Sequence, residues 1–357
     1  MGEMKSLSPS LRTSGDVATQ QTGPIALNRK DVLDLDDFTQ DEIQLVLETT
    51  DAMKEVLSRP IRKVPALRSK TVVNLFYEVS TRTRVSFELA AKNLSAEIVN
   101  IASSSSSVEK GESLLDTIRT LQALGADFIV IRHPSSGAPY LVAQHLNGSV
   151  INAGDGWHAH PSQALLDMYT IRERLGRIEG VTVAIVGDVL HSRVARSNIW
   201  GFTRMGAKVI LCGPPTLMPS DTGDSRNGGL PDVEVEYDLD RALRQADVIM
   251  ALRMQKERQQ GGLLPSIREY IRLYQINDQR LAKLRPDVMV MHPGPMNEGI
   301  EISAEVAHSA RSLVEQQVTN GVAVRMALLY LLAGKGEDRE MRQDELPLFG
   351  NGPRNGG

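Results

Sequence analysis

Three hydroxyls and two guanidiniums crowd one short string, Ser80-Thr81-Arg82-Thr83-Arg84. It follows an apolar run, Val72 to Phe76, and leads into a helical pattern from Arg84 to Leu94, so it occupies a strand-to-helix turn. A helix N-terminus offers free backbone N–H groups and the positive end of a dipole. Hydroxyls and a fork-shaped guanidinium added there make a phosphate site. A capped surface helix with solvated arginines would explain a lone Ser-Thr, but not this string after a buried strand. Arg132 directly follows the run Phe128 to Ile131. It stands at a strand end of the same sheet and either reaches the same anion or neutralises a helix end.

The stretch Gly154 to Gln163 follows another short run, Ser149 to Asn152. Pro161 suits the first turn of a helix. His160 and Gln163 then lie at a helix start beyond the sheet. A histidine there either caps the helix or donates a hydrogen bond to a carbonyl oxygen. His158 is a weaker candidate, and with no third ligand near it the His158/His160 pair does not read as a metal site. Ser103 to Ser107, followed by Val108-Glu109-Lys110-Gly111-Glu112, forms a polar loop. It is either a solvated linker or a lid that carries serine and lysine to a phosphate.

In the second half, Gly187-Asp188-Val189-Leu190-His191-Ser192-Arg193 follows the run Val181 to Val186. This is where a dinucleotide fingerprint would stand, but the glycine pattern is missing, which argues against a nicotinamide cofactor. Arg193 lies just beyond a strand end, and so does Arg253 after Val248 to Ala251. Two such arginines suit a dicarboxylate. The last run, Val288 to Met291, ends in His292-Pro293-Gly294-Pro295, whose carbonyls have few local N–H partners. No Ser-His-Asp set, Cys-His pair or paired acid-base carboxylates stand out. The residues describe two anionic substrates joined without a covalent intermediate.

These positions demand strands alternating with helices. Glu97 to Ile101 and Val209 to Cys212 complete two series of apolar runs, with helical patterns between them. Such alternation predicts α/β architecture: two doubly wound parallel-sheet domains. Nearly continuous apolar strands fit sheets covered on both faces. The first domain is expected over 28–160 and the second over 161–311. The break falls at the helix Pro161 to Leu175, which Gly176 to Gly180 follows. A final helix, 312–333, is expected to pack back on the first domain. Residues 1–27 and 336–357 read as a disordered leader and tail.

Composition sets the limits. The 357 residues are 41% hydrophobic and 24% charged, with a net charge of -4, so nothing global draws the chain to nucleic acid. Aromatic residues make up 4%, leaving few base-stacking platforms. No apolar run approaches the ~18 residues of a membrane span; Val322 to Ala333 is interrupted by Arg325. The single cysteine, Cys212, excludes an internal disulfide and fits a cytoplasmic protein.

Taken together, FYEVSTRTRVSFELA, VEKGESLLDT, IRHP, HPSQALLD, GDVLHSRVARS, LRMQKER and HPGPMNEGIEI resemble the catalytic chains of the aspartate/ornithine carbamoyltransferase family. The likeness covers about 28–333 and favours the aspartate branch. Ornithine members typically carry HCLP where this chain has HPGP, and they lack the arginine of GDVLHSRV. The resemblance implies transfer of a carbamoyl group from carbamoyl phosphate to L-aspartate in pyrimidine biosynthesis, without cofactor or metal. It implies that Ser80, Thr81, Arg82 and Thr83 hold the phosphate with Arg132. Thr83, Arg132 and His160 would polarise the carbamoyl oxygen. Gln163 and the backbone at Pro293 and Gly294 would hold the carbamoyl amide, and Arg193, Arg253 and Gln255 the aspartate carboxylates. Lys110 and either Ser106 or Ser107 would cross into a neighbouring subunit's site, which implies a homotrimer with shared active sites. A regulatory chain or a dihydroorotase-like partner is a further possibility of the family. Val79 stands in place of a common proline, Ser162 in place of threonine, and Gly294 in place of a bulkier residue.

Overall fold

Each apolar run becomes a parallel strand, and the strands form two sheets. The structure is a computed structural model that describes residues 27–102, 113–223, 229–254 and 266–344, the last ten as helical backbone only. The first sheet has the order β2-β1-β3-β4, from β1 (Thr71–Phe76), β2 (Glu97–Ala102), β3 (Phe128–His133) and β4 (Ser149–Asp155). The second has the order β7-β6-β5-β8-β9, from β5 (Thr182–Val186), β6 (Lys208–Cys212), β7 (Glu234–Glu236), β8 (Val248–Ala251) and β9 (Met289–Met291). All pairings within both sheets are parallel.

The helices α1 (Gln40–Ser58), α2 (Thr81–Asn93), α3 (Leu114–Ala123), α4 (Ala138–His145) and α5 (Pro161–Leu175) belong with the first series. Those of the second are α6 (Arg193–Arg204), α7 (Leu239–Gln245), α8 (Ile267–Tyr274), α9 (Asp278–Leu281), α10 (Ala304–Ala307) and α11 (Val314–Asp344). Strand side chains alternate between two cores. In β1, Val72 and Phe76 join the large central cluster, while Val73 and Leu75 face the opposite side of the sheet. The central cluster continues through Ala164, Leu165 and Met168 of α5 and Val324 to Leu332 of α11 to Val183, Ile185 and Met250 of the second sheet. In α5 every residue from Pro161 to Ile171 is buried, because both halves pack around it.

Four local readings are corrected. α2 begins at Thr81 rather than Arg84, since Ser80 is its N-cap and nothing in Thr81-Arg82-Thr83 breaks a helix. α11 runs to Asp344, past the tail boundary at 336, through a stretch rich in Glu, Arg, Gln and Met, which are good helix formers. Leu27, assigned to the leader, is 1% exposed and part of the core. The edge strand β7 went unseen because its three residues are Glu-Val-Glu, with no apolar run to mark it. The rest of the leader, the serine-rich loop and the end of the tail lie outside the described residues.

In both sheets the crossovers reverse direction beside the first strand. From β1 the chain moves out to β2 and returns on the other side of β1 to β3; from β5 it moves out to β6 and β7 and returns to β8. Ligands of open parallel sheets bind at the carboxyl ends of strands flanking such a reversal.

Candidate active site

The carboxyl ends at both reversals open into one cavity of about 630 Å³. From the first sheet come Ser80, Thr81, Arg82 and Thr83 after β1 and Arg132 of β3. From the second come Arg193 after β5 and Arg253 after β8, with Pro293 and Gly294 after β9. His160 and Gln163 enter from α5 and Arg325 from α11. The charged lining thus counts five arginines against one acid, Glu78. Every expected site residue within the described part of the chain lines this cavity. Lys110, Ser106, Ser107 and Gln255 lie outside the described residues.

Two helix N-termini bordering the cavity lack the side-chain caps found at most of the other helices. The N-cap side chains of α1, α3, α6, α7, α8, α9 and α10 each accept a bond from the helix they start. Ser80 of α2 and His160 of α5 make no such bond, and neither helix has an acid in its first turn. Among the described residues the first-turn N–H groups of α2 are open to an anion, with the Arg82 guanidinium nearby, whereas in α5 Pro161 has no N–H and that of Gln163 donates to the His160 carbonyl at 3.0 Å. Among the described residues Arg82 makes no ion pair. Its pKa is lowered by burial and by the nearby Arg253. The Arg82 guanidinium lies against the α-carbon of Gly294, at φ 64°, where a Cβ would collide with it. Strand-end arginines from both halves therefore converge with Arg82 on one space.

A bulge aims Arg132. Ile131 pairs with Asn152 but His133 with Asp155, so β4 holds one residue more than β3 across this step. Bulges of this kind re-aim side chains beside functional sites. The Arg132 Nη1 donates to the carbonyl of Ala153 at 3.1 Å. Next to it, Gly154 has φ 118°, and a Cβ there would stand 2.9 Å from Arg193 Nε and 3.1 Å from Arg132 Nη1. Glu78 accepts from Arg193 Nη2 at 2.6 Å and lies 3.3 Å from Arg132 Nε.

His160 is buried, and its backbone N–H donates to Ser197 Oγ at 2.9 Å. Among the described residues its Nδ1 has no hydrogen-bond partner. Burial first, then the cationic Arg132, Arg193 and Arg325, hold the imidazole well below its ordinary pKa. A neutral ring with one N–H can donate to a substrate oxygen without adding a full charge. Arg325 is also buried; its Nη1 donates to Ser86 Oγ at 2.9 Å, and burial lowers its pKa to about 10. Reading the residues alone missed Arg325, Glu78 and Ser86. The available signal for Arg325 was a single charge inside the apolar run Val322 to Ala333.

Residues 30–173 match the family model of the aspartate/ornithine carbamoyltransferase carbamoyl-P binding domain, and residues 179–332 that of the Asp/Orn binding domain. The chain belongs to the aspartate/ornithine carbamoyltransferase family. The boundary between these carbamoyltransferase modules falls at the end of α5, after the helix that begins at the expected boundary of 160 and 161. The aspartate carbamoyltransferase catalytic subunit of Roseiflexus castenholzii is 64% identical over 307 residues, covering 86% of this chain and 96% of its own. Aspartate transcarbamoylase from Trypanosoma cruzi, in complex with carbamoyl phosphate and aspartate, superimposes with a TM-score of 0.78 at 30% identity, over 86% of this chain and 98% of its own. The ornithine carbamoyltransferase of Pyrococcus furiosus reaches a TM-score of 0.77 at 31% identity, over 86% of this chain and 98% of its own. The carbamoyltransferase fold is thus common to both branches, and the second substrate has to be read from the site. Among the described residues no group of three or more His, Cys, Asp or Glu could hold a metal, and no helix is long and apolar enough to cross a membrane.

Proposed function

We propose that this chain transfers the carbamoyl group of carbamoyl phosphate to the amine of L-aspartate, releasing N-carbamoyl-L-aspartate and phosphate in pyrimidine biosynthesis. The observation that carries this reading is the single cavity at both sheet reversals, with its excess of arginine. It suits a phosphate on one side and a dicarboxylate on the other. The two arginines Arg193 and Arg253, at adjacent strand ends, support aspartate over ornithine, whose second charge is positive.

The phosphate is held by the open N–H groups of α2 with Ser80, Thr81, Arg82 and Thr83, assisted by Arg132. The neutral aspartate amine attacks the carbamoyl carbon. The new C–N bond forms as negative charge builds on the carbamoyl oxygen, which Thr83, Arg132 and His160 stabilise. The C–O bond to phosphate then breaks, and the amine loses its proton. Holding both reactants in place can supply about 7–11 kcal/mol. Each well-placed donor to the oxyanion typically supplies about 3–4 kcal/mol. Gln163 and the carbonyls at Pro293 and Gly294 take the carbamoyl NH2, and Gln255 joins the arginines at the aspartate carboxylates.

The reading includes a homotrimer whose sites borrow Lys110 and Ser106 or Ser107 from a neighbour, and a reducing cytoplasmic compartment. Val79, at the cavity mouth, is 97% exposed, and Val85, Leu89 and Val99 expose an apolar face on α2 and the edge strand β2. A neighbouring copy there would cover that face beside the phosphate site. Burial pushes the only thiol, Cys212, up to about 12, which leaves it unreactive.

Side-by-side assays with aspartate and ornithine test the reaction; carbamoylation of ornithine alone would refute it. N-(phosphonacetyl)-L-aspartate, which spans both half-sites, should inhibit tightly. Lys110→Ala and Arg82→Ala chains should each be inactive alone and regain activity when mixed and reassociated. No recovery would rule out a shared site.

A further inference from the structure

Asp167 lies one turn beyond Gln163 on α5 and is fully buried. Its Oδ1 accepts from Gln163 Nε2 at 3.0 Å and from Gln317 Nε2, on α11, at 2.7 Å. Its Oδ2 accepts from Asn198 Nδ2, on α6, at 2.9 Å. Gln317 uses its other end as well: its Oε1 accepts the backbone N–H of His292 at 3.0 Å. His292 Nδ1 in turn accepts the N–H of Gly294 at 2.8 Å.

A carboxylate only accepts hydrogen bonds, whereas a glutamine amide has a donor end and an acceptor end. Asp167 therefore fixes which way both glutamines face. Each presents its NH2 to Asp167 and turns its oxygen away. For Gln317 that oxygen lands on His292 and steadies the turn through Pro293 and Gly294. For Gln163, which lines the cavity, the oxygen is left for a ligand. Burial raises the Asp167 carboxyl to about 6 against the bonds from Asn198, Gln317 and Gln163, so above that pH it is ionised as this arrangement requires.

We propose that Asp167 is a positioning residue that aligns both acceptors of the carbamoyl NH2, Gln163 Oε1 and the Pro293–Gly294 carbonyls, and so sets the preference for carbamoyl phosphate over acyl phosphates. This rests on the amide-binding role proposed for Gln163 and the Pro293–Gly294 turn. A site built to hydrogen-bond an NH2 discriminates strongly against an analogue that lacks it. Acetyl phosphate is that analogue, with CH3 in place of NH2 and the same phosphate and carbonyl.

The test compares the dissociation constants of carbamoyl phosphate and acetyl phosphate for the full-length protein and its variants, without aspartate. Asp167→Leu keeps an apolar side chain of similar size but removes the oxygen that both glutamine NH2 groups share, so both amides are free to turn. It should weaken carbamoyl phosphate at least tenfold and change acetyl phosphate less than twofold. Equal weakening of both ligands, or no weakening of either, overturns the proposal. If Asp167→Leu does not fold, Gln317→Met decides. It removes the link from Asp167 to His292, leaves the Gln163 bond in place, and should lower the carbamoyl-to-acetyl preference about threefold; an unchanged preference overturns the proposal. Gln163→Ala separates the two layers. Loss of preference in that variant supports the amide site, and retained preference removes the amide site and the proposal with it. Loss in Gln163→Ala with none in Asp167→Leu removes the positioning role alone.

Discussion

Glu78, from the segment after β1, holds Arg193 of the second half at 2.6 Å while its same oxygen lies 3.3 Å from Arg132 of the first. One carboxylate thus fixes the spacing of two cations that would otherwise repel across the cavity. Its side chain is 20% exposed and Arg193 only 5%, so the pair is largely shielded from screening by water. Glu78→Gln should lower kcat/KM for aspartate about 30- to 100-fold, the lower part of the range for breaking a buried charge pair. Phosphate affinity should change less, because α2 and Arg82 are untouched and Arg132 keeps its bond to the Ala153 carbonyl. Calorimetry with phosphate beside steady-state kinetics measures both; equal losses would refute the linking role.

Gly154 fills a space that admits no side chain. At φ 118° any other residue carries backbone strain, and a Cβ would press on Arg193 Nε and Arg132 Nη1. Gly154→Ala should cost about 1–2 kcal/mol of stability. It should also reduce turnover at least tenfold by displacing both guanidiniums. Full activity in a folded Gly154→Ala protein would show that the arginines tolerate the shift.

The depressed His160 pKa makes a prediction with a definite sign. The unfolded chain binds a proton at this histidine near pH ~6.5, and the folded chain does not. Folding stability from this group is therefore fully present above that pH and falls as pH drops below it. His160→Gln should flatten part of that acid loss in urea melts. In NMR titrations the His160 ring signal should stay constant from about pH 6 to about pH 8. A midpoint inside that window would mean the ring is protonated during turnover.

Tyr270 is 1% exposed, and among the described residues its hydroxyl has no hydrogen-bond partner. An unsatisfied buried polar group costs about 1–3 kcal/mol. Tyr270→Phe should therefore leave stability unchanged or raise it by about 1 kcal/mol, as read from denaturant melts. A clear loss would reveal a partner for the hydroxyl.

Every strand except β7 could be read from the sequence, in chain order, because each is a mainly apolar run, broken only by an occasional polar residue such as Asn74. The basic residues of the site were legible from the same runs: Arg132 and Arg253 stand at or next to the end of one, and Arg193 follows one across a short loop. Glu78 escaped because one acid beside a string of hydroxyls and arginines looks like ordinary surface charge. Asp167 escaped because its role depends on Asn198 and Gln317, 31 and 150 residues away, which only the packing of α5 with α6 and α11 brings near. The start of α2 was misjudged because the residues that hold a phosphate also form a helical first turn.

The uncapped starts of α2 and α5 border the cavity, whereas α4, which also lacks a side-chain cap, starts at Gly137 away from it. On the proposed reading, the substrate phosphate supplies the cap that α2 lacks. Occupancy should then act as a folding ligand. At a hundredfold excess over its dissociation constant, a ligand bound only by the folded form adds about 2.7 kcal/mol of stability. Amides in the first turn of α2 should exchange more slowly with solvent once phosphate is present. Structural completeness in this chain is accordingly a property of the loaded enzyme.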